Sequence, residues 1–392
     1  MKLLPHLAIV TAIVAIPLAW KGPPALQAPA LQAPAATVPI FEYDPTFPKP
    51  MKEDWAIGPI GGMAVDRQDH LYVVQRPGAL ASNERFTGSD DTPPKADCCI
   101  PAPAVLEFDQ VGTLIRSWGG PGQGYDWPQT EHGVFVDAQD NVWLAGSGQN
   151  DAHLLKFTRE GKFLQQFGKP GTNGGSADTR NLGQPANLTI DPVSNEIYVA
   201  DGYRNRRVIV LDAATFAFKR MWGAYGNKPD DTPLGAYNPD APPAQQFRLP
   251  HNIAISRDGF VYVADRPNNR IQVFRKDGTY VKEAFVSKRT LLQGAASGFA
   301  LSTDPQQRWL YMIDGANHHV WILERQSLQI VARFGQQGLW GGALNVPHAI
   351  AVDSRNNIYV GENFDARRFQ RFLYKGLGKP SPNTLPRTTI VQ

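Results

Sequence analysis

The sequence predicts an all-β chain folded as a six-bladed β-propeller, with four antiparallel strands in each blade. Three observations carry this. The first is a recurring unit in which an apolar run, a polar turn and an alternating strand follow one another. It reads GGMAVDRQDHLYVVQ from Gly61, HGVFVDAQDNVWLAG from His132 and ANLTIDPVSNEIYVAD from Ala186. It returns as HNIAISRDGFVYVAD from His251, SGFALSTDPQQRWLYMID from Ser297 and HAIAVDSRNNIYVGE from His348. The second is an aromatic–glycine pair closing four of the copies, at Trp118-Gly119, Phe167-Gly168, Trp222-Gly223 and Phe334-Gly335. The third is the supply of turn formers, 36 Gly and 33 Pro in 392 residues. Short alternating strands punctuated by Gly, Asp and Asn form antiparallel sheets. One such sheet cannot bury both of its faces, and its edges invite aggregation; six arranged radially cover one another and close a ring.

Taken in chain order, residues 1–20 carry a positive Lys2 and then LAIVTAIVAIPLAW from Leu7 to Trp20. The run is short for a membrane span, which needs about 20 apolar residues, so a secretory signal is the first reading and an uncleaved N-terminal anchor the second. A secreted or periplasmic protein follows, tethered to a membrane if the segment is retained. Residues 21–50 contain PPALQAPALQAPAAT, an extended Pro/Ala-rich linker. The propeller is expected over 51–392. Its last unit lacks a good outer strand after Tyr374, so a terminal segment is expected to complete that blade, either Thr37–Tyr43 or Thr388–Gln392. Pro77 to Pro103 reads as an insertion between strands. It holds the two cysteines, Cys98 and Cys99, which suit a vicinal disulfide, a link between chains, or reduced thiols; no metal site is read there. A net charge of +3 without a Lys/Arg run tells against nucleic acid as a partner. A monomer is expected.

The repeat register exposes a second pattern. The first inner-strand positions of the six copies are Gly61, His132, Ala186, His251, Ser297 and His348. Histidine occupies the second, fourth and sixth, which lie about 120° apart in a six-fold ring. A lone histidine at a strand start is more often a hydrogen-bonded structural residue. Three in strict alternation, entering from the same end of the strand, converge on the channel as catalytic zinc ligands do, with one position left for water or substrate. Zinc or another late first-row divalent metal fits that set. The remaining histidines, His6, His70, His153, His318 and His319, fall in the leader, turns or outer strands.

The loop entering an inner strand and the loop between the second and third strands lie on the same face of a blade. Tyr203 in DGYRNRR, Arg266 in DRPNNR and Arg76 in QRPG stand in such second loops, so all three are expected at the histidine mouth. Arginine grips a carboxylate as a planar, permanently charged fork. A tyrosine held beside a cation can surrender its proton and act as base. The plain alternative is that polar turns are simply polar.

PHNIAIS and VYVADRPNNRIQVF resemble NHL repeats, a likeness that extends over about residues 56 to 375. VADGYRNRRV, LPHNIA and VADRPNNRIQVF, together with EHGVFVD and VPHAIAVD, further resemble the lyase domain of peptidylglycine α-amidating enzymes, the peptidyl-α-hydroxyglycine α-amidating lyases. That resemblance implies a six-bladed propeller with zinc on His132, His251 and His348. It also implies Tyr203 as catalytic base, with Arg266 and Arg76 as active-site arginines. The implied reaction splits the C–N bond of a peptidyl-α-hydroxyglycine, or a related carbinolamide, to an amide and glyoxylate. A small-molecule or peptide substrate would sit in the central channel. Two departures stand out. The family has an aspartate for structural calcium directly after the third histidine, where Ala349 stands here, which tells against calcium. The cysteine beside the family's tyrosine is replaced by Arg204. The alternative function is a non-catalytic NHL propeller that binds a protein, peptide or glycan on its face.

Overall fold

The computed structural model describes residues 37–85 and 98–380. These form six four-stranded antiparallel sheets and one short parallel pair, Trp55–Ala56 with Ile100–Pro101. The only helices among the described residues are four short 3-10 turns, and none is long and apolar enough to cross a membrane. The expected leader, residues 1–20, lies outside the described residues, as does Thr388–Gln392.

The inner strands are Ile60–Val65, Glu131–Val136, Pro185–Asp191, Pro250–Ile255, Gly298–Leu301 and Pro347–Val352, one per blade. Each is followed by a tight turn. In blades one, two and six an aspartate ends the run: Asp66, Asp137 and Asp353 each accept hydrogen bonds from two backbone N–H groups further along the turn. A carboxylate that mimics a turn's backbone acceptor fixes the reversal.

The second strands, such as Leu71–Gln75 and Phe260–Asp265, are buried almost throughout, because neighbouring blades cover both faces. One apolar cluster joins blades three and four through Tyr198, Val208, Val261, Val263 and Phe274. Another joins blades six and one through Ala351, Tyr359, Ile60 and Val73.

The last blade is completed from the N-terminal side. Val38–Tyr43 pairs antiparallel with Phe369–Gly378 and forms the outer strand of blade six. The folded unit thus begins inside the stretch expected to be linker, 21–50. Phe41 reaches across to blade five, its ring 5.3 Å from Tyr311 and 5.1 Å from Phe334. Val38 lies beside Gly378, at the end of the blade remote from His348, so the chain enters on the face opposite the histidines. Cys98 and Cys99 form a vicinal disulfide. The insertion that carries them is tied to blade six by an ion pair between Glu84 and Arg367.

Candidate metal and catalytic site

The three alternating histidines meet on the axis. Their ring centroids are 4.9 Å apart for His132–His251, 4.8 Å for His132–His348 and 5.3 Å for His251–His348. All three side chains are buried, and one ring nitrogen from each lies within 4.8 Å of the others.

Their outer nitrogens follow one rule. His132 Nδ1 donates to the carbonyl of Ala186 in the next blade at 2.7 Å, and His251 Nδ1 donates to that of Ser297. His348 Nδ1 faces the Ile60–Gly61 backbone without a well-formed bond. The backbone partners come from the inner strands of blades three, five and one, so each histidine leans on the next blade round the ring. A carbonyl only accepts, so Nδ1 carries the proton in His132 and His251 and Nε2 is left as a lone pair aimed at the axis. A hydrogen bond on the far nitrogen orients metal-binding imidazoles in the same way.

Burial is the main force holding all three imidazoles well below their ordinary range. For His132 the neighbouring His348 and His251 add to it; for His251 and His348 an arginine is the next contributor, Arg266 and Arg76 respectively. All three are therefore neutral, as metal ligands must be.

Tyr203 closes the group. Its hydroxyl is 2.9 Å from His132 Nε2 and 3.0 Å from His251 Nε2. Arg266 Nη1 stands 3.2 Å from His251 Nε2 and 3.4 Å from the Tyr203 oxygen. The hydroxyl has one proton and faces two lone-pair nitrogens, and Arg266 supplies one more donor. Three buried neutral imidazoles that converge on the axis fit zinc or a similar divalent ion.

Arg76 borders the same space. Its Nε donates to the Glu131 carbonyl at 2.7 Å and its Nη1 to Asn363 Oδ1 at 3.4 Å. Burial draws its proton affinity below the ordinary guanidinium range, opposed by the nearby Tyr203 and Glu131. All six residues singled out in the sequence thus gather at one mouth.

Two features escaped sequence reading. Gly202 packs on the next blade: a Cβ there would meet the Pro250 carbonyl oxygen at 2.0 Å. The residues after Tyr203 are no ordinary hairpin. Asp201 Oδ2 takes Asn205 Nδ2 at 2.7 Å and Arg207 Nε at 2.9 Å, with Arg207 fully buried. Asp265, Asn268 and Arg270 repeat the arrangement beneath Arg266. The Asp-x-x-x-Asn-x-Arg and Asp-x-x-Asn-x-Arg spacings were the signal. The other described histidines are engaged elsewhere: His70 with Glu107, His153 with the Asp126 carbonyl, His318 with Val346 N–H and His319 with the Asn317 carbonyl. His70, Asp66 and Glu107 also cluster closely, but Arg159 and Arg116 already neutralise those carboxylates.

Fold and site together define the class, a six-bladed β-propeller with a three-histidine axial centre. The NHL repeat model matches residues 247–274. The chain is 29% identical to mouse NHL repeat-containing protein 3 over 61% of its own length and 58% of the relative's. It is 23% identical to peptidyl-α-hydroxyglycine α-amidating lyase 1 of Drosophila melanogaster, over 83% of this chain and 58% of that protein. Each match thus spans little more than half of the relative. Among solved structures, a streptogramin B lyase superposes with a TM-score of 0.51 at 12% identity, covering 85% of this chain and 98% of that one; that likeness concerns the fold alone. The chain is therefore a six-bladed propeller that carries an NHL repeat at residues 247–274 and resembles the amidating lyases.

Proposed function

We propose that the chain is a zinc-dependent carbon–nitrogen lyase that cleaves a peptidyl-α-hydroxyglycine, or a related carbinolamide, to an amide and glyoxylate. The observation that carries this reading is the placement of the Tyr203 hydroxyl between two Nε2 atoms, with Arg266 against it. Relatives named as amidating lyases support it.

Zinc on His132, His251 and His348 would serve as a Lewis acid toward a substrate oxygen. Tyr203 must first lose its own proton to solvent, and as tyrosinate it takes the proton of the substrate hydroxyl. The oxygen lone pair then closes the carbonyl of glyoxylate, the C–N bond breaks, and the departing amide nitrogen regains a proton. Arg266 stabilises the tyrosinate, because its Nη1 faces that oxygen. Arg76, held in plane by Glu131 and Asn363, is oriented to receive the substrate carboxylate. Gly61, Gly62 and Gly133 let neighbouring inner strands approach closely and keep the space beneath the histidines narrow, so substrate enters from the Tyr203 side. The same reading includes export: the apolar run from Leu7 and the Cys98–Cys99 disulfide both suit an oxidising compartment.

The test uses untagged full-length protein. One zinc per chain and glyoxylate release from a peptidyl-α-hydroxyglycine are expected. Tyr203→Phe should retain zinc and lose about 10²–10⁴-fold in turnover, the usual worth of a positioned base. Protein that holds no stoichiometric metal, with His251→Ala changing nothing, would leave a non-catalytic binding propeller as the better reading. Bound metal without glyoxylate release would keep the centre and reject the substrate.

A further inference from the structure

The channel has a second end, and its lining is unlike the first. Four residues after the ring of Gly61, His132, Ala186, His251, Ser297 and His348 stand Val65, Val136, Ile190, Ile255, Leu301 and Val352. Every blade therefore places a branched aliphatic side chain at the same register, and all six are partly exposed. Val65, Val136, Ile190, Ile255 and Leu301 also pack against the apolar clusters between blades, so only the uncovered part of each side chain is free to meet a ligand.

Four of these residues, Val65, Val136, Ile190 and Val352, open into a cavity of about 530 Å³, and Arg257 and Thr303 line it from blades four and five. It deepens between blades two and three, where Phe135, Trp143 and Ala213 contribute. It shares no lining residue with the space around the histidines. A volume of 300–1,000 Å³ is typical of small-molecule sites with an apolar body and a few polar groups.

The rim charges balance. Asp66, Asp69 and Asp137 face Arg67, Lys156 and Arg257. Most are also satisfied internally. Arg67 pairs with Asp140 at 3.2 Å, and Asp69 accepts from Ser354 N and Oγ at 2.8 and 2.6 Å. Asp137 holds Asn141 and the Trp143 indole, and Arg257 donates to the Asp304 carbonyl at 2.8 Å. Lys156 lies 4.7 Å over the Trp143 ring. Such a rim attracts neither sign of charge strongly, but it offers hydrogen bonds at the edge of an apolar well.

We propose that this mouth, remote from the histidines, is a second binding site, for an uncharged molecule whose apolar body lies against Val65, Val136, Ile190 and Val352 and whose polar end meets the rim. The site is independent of any chemistry at the histidines.

The test is fluorescence titration of the full chain with the neutral apolar dye N-phenyl-1-naphthylamine. Saturable, blue-shifted emission at one dye per chain is expected. Ile190→Asp should weaken binding at least tenfold with an unchanged thermal melt. Val136→Asn, a milder change at another partly exposed residue of the cavity, should weaken it about threefold or more and carries the test if Ile190→Asp does not fold. Absence of saturable emission overturns the site, as does undiminished binding by folded ring variants. Binding of the anionic 8-anilino-1-naphthalenesulfonate as tightly as the neutral dye overturns the uncharged class.

Discussion

Gly202 decides where Tyr203 stands. The second loop of blade three leans on the inner strand of blade four. Only a residue without a Cβ can approach the Pro250 carbonyl so closely, since an added methyl would sit 2.0 Å from that oxygen. The contact brings the Tyr203 oxygen to within 3.0 Å of His251 while the other side still reaches His132. Gly202→Ala must push the loop away from blade four. It should cost about 1–3 kcal/mol of stability, as overpacking does, and lower turnover more than tenfold, because positional errors of about 1 Å are expensive. Urea unfolding alongside a glyoxylate assay checks this, and wild-type turnover in Gly202→Ala would mean that Tyr203 tolerates displacement. The residues that touch one another here were legible in the sequence as a register: three histidines at one repeat position, and one tyrosine and two arginines in matching loops. The contacts that fix them were not. Gly202 looked like any turn glycine, because steric need between blades leaves no periodic mark. Asn205 and Arg207 looked like solvent-facing turn residues, yet they saturate a buried carboxylate beneath the loop.

At the scale of the element, the outer strand of blade six is the weak link, because it alone comes from the other end of the chain. The lack of a good outer strand after Tyr374 made Thr37–Tyr43 one of two terminal candidates for closing the ring. The structure pairs it with Phe369–Gly378 in a register that is interrupted between Pro39 and Phe41. Blades one to five need no such closure, since each draws four strands from consecutive sequence. Phe41 is the anchor, meeting Tyr311, Phe334 and Tyr374 with centroids at 5.3, 5.1 and 5.9 Å. Phe41→Ala should destabilise the protein by about 2–3 kcal/mol, under the range for a fully buried phenylalanine. It should also raise hydrogen exchange in blade six before the other blades, since a released edge strand opens locally. Uniform exchange across all six blades in this variant would show that the strand does not act as a separate latch.

Across the whole propeller, the axial site ties stability to pH. His132, His251 and His348 are buried as neutral rings and lie well below the ordinary histidine range. Burial also lowers His319, to about 4, and His153. In the unfolded chain these groups bind protons near pH 6.5; in the folded one they do not until much lower pH. Between those limits the unfolded state holds more protons, so stability must fall as pH falls below about 6.5 and is complete above it. Each group adds at most about 1.4 kcal/mol per pH unit, so the three axial histidines set a ceiling near 4 kcal/mol per unit. The sign is the opposite of what a salt-bridged histidine would give. Urea unfolding of chelator-treated protein at pH 7.5, 6.5 and 5.5 should show little change across the first step and a marked loss across the second. With saturating zinc the loss should steepen, because protons then also compete with the metal for the same three nitrogens. A profile that stays flat from pH 7.5 to 5.5 in the metal-free protein would mean that the rings reach solvent, and that the three-histidine centre is not the dry, closed site from which a metal-binding function was argued.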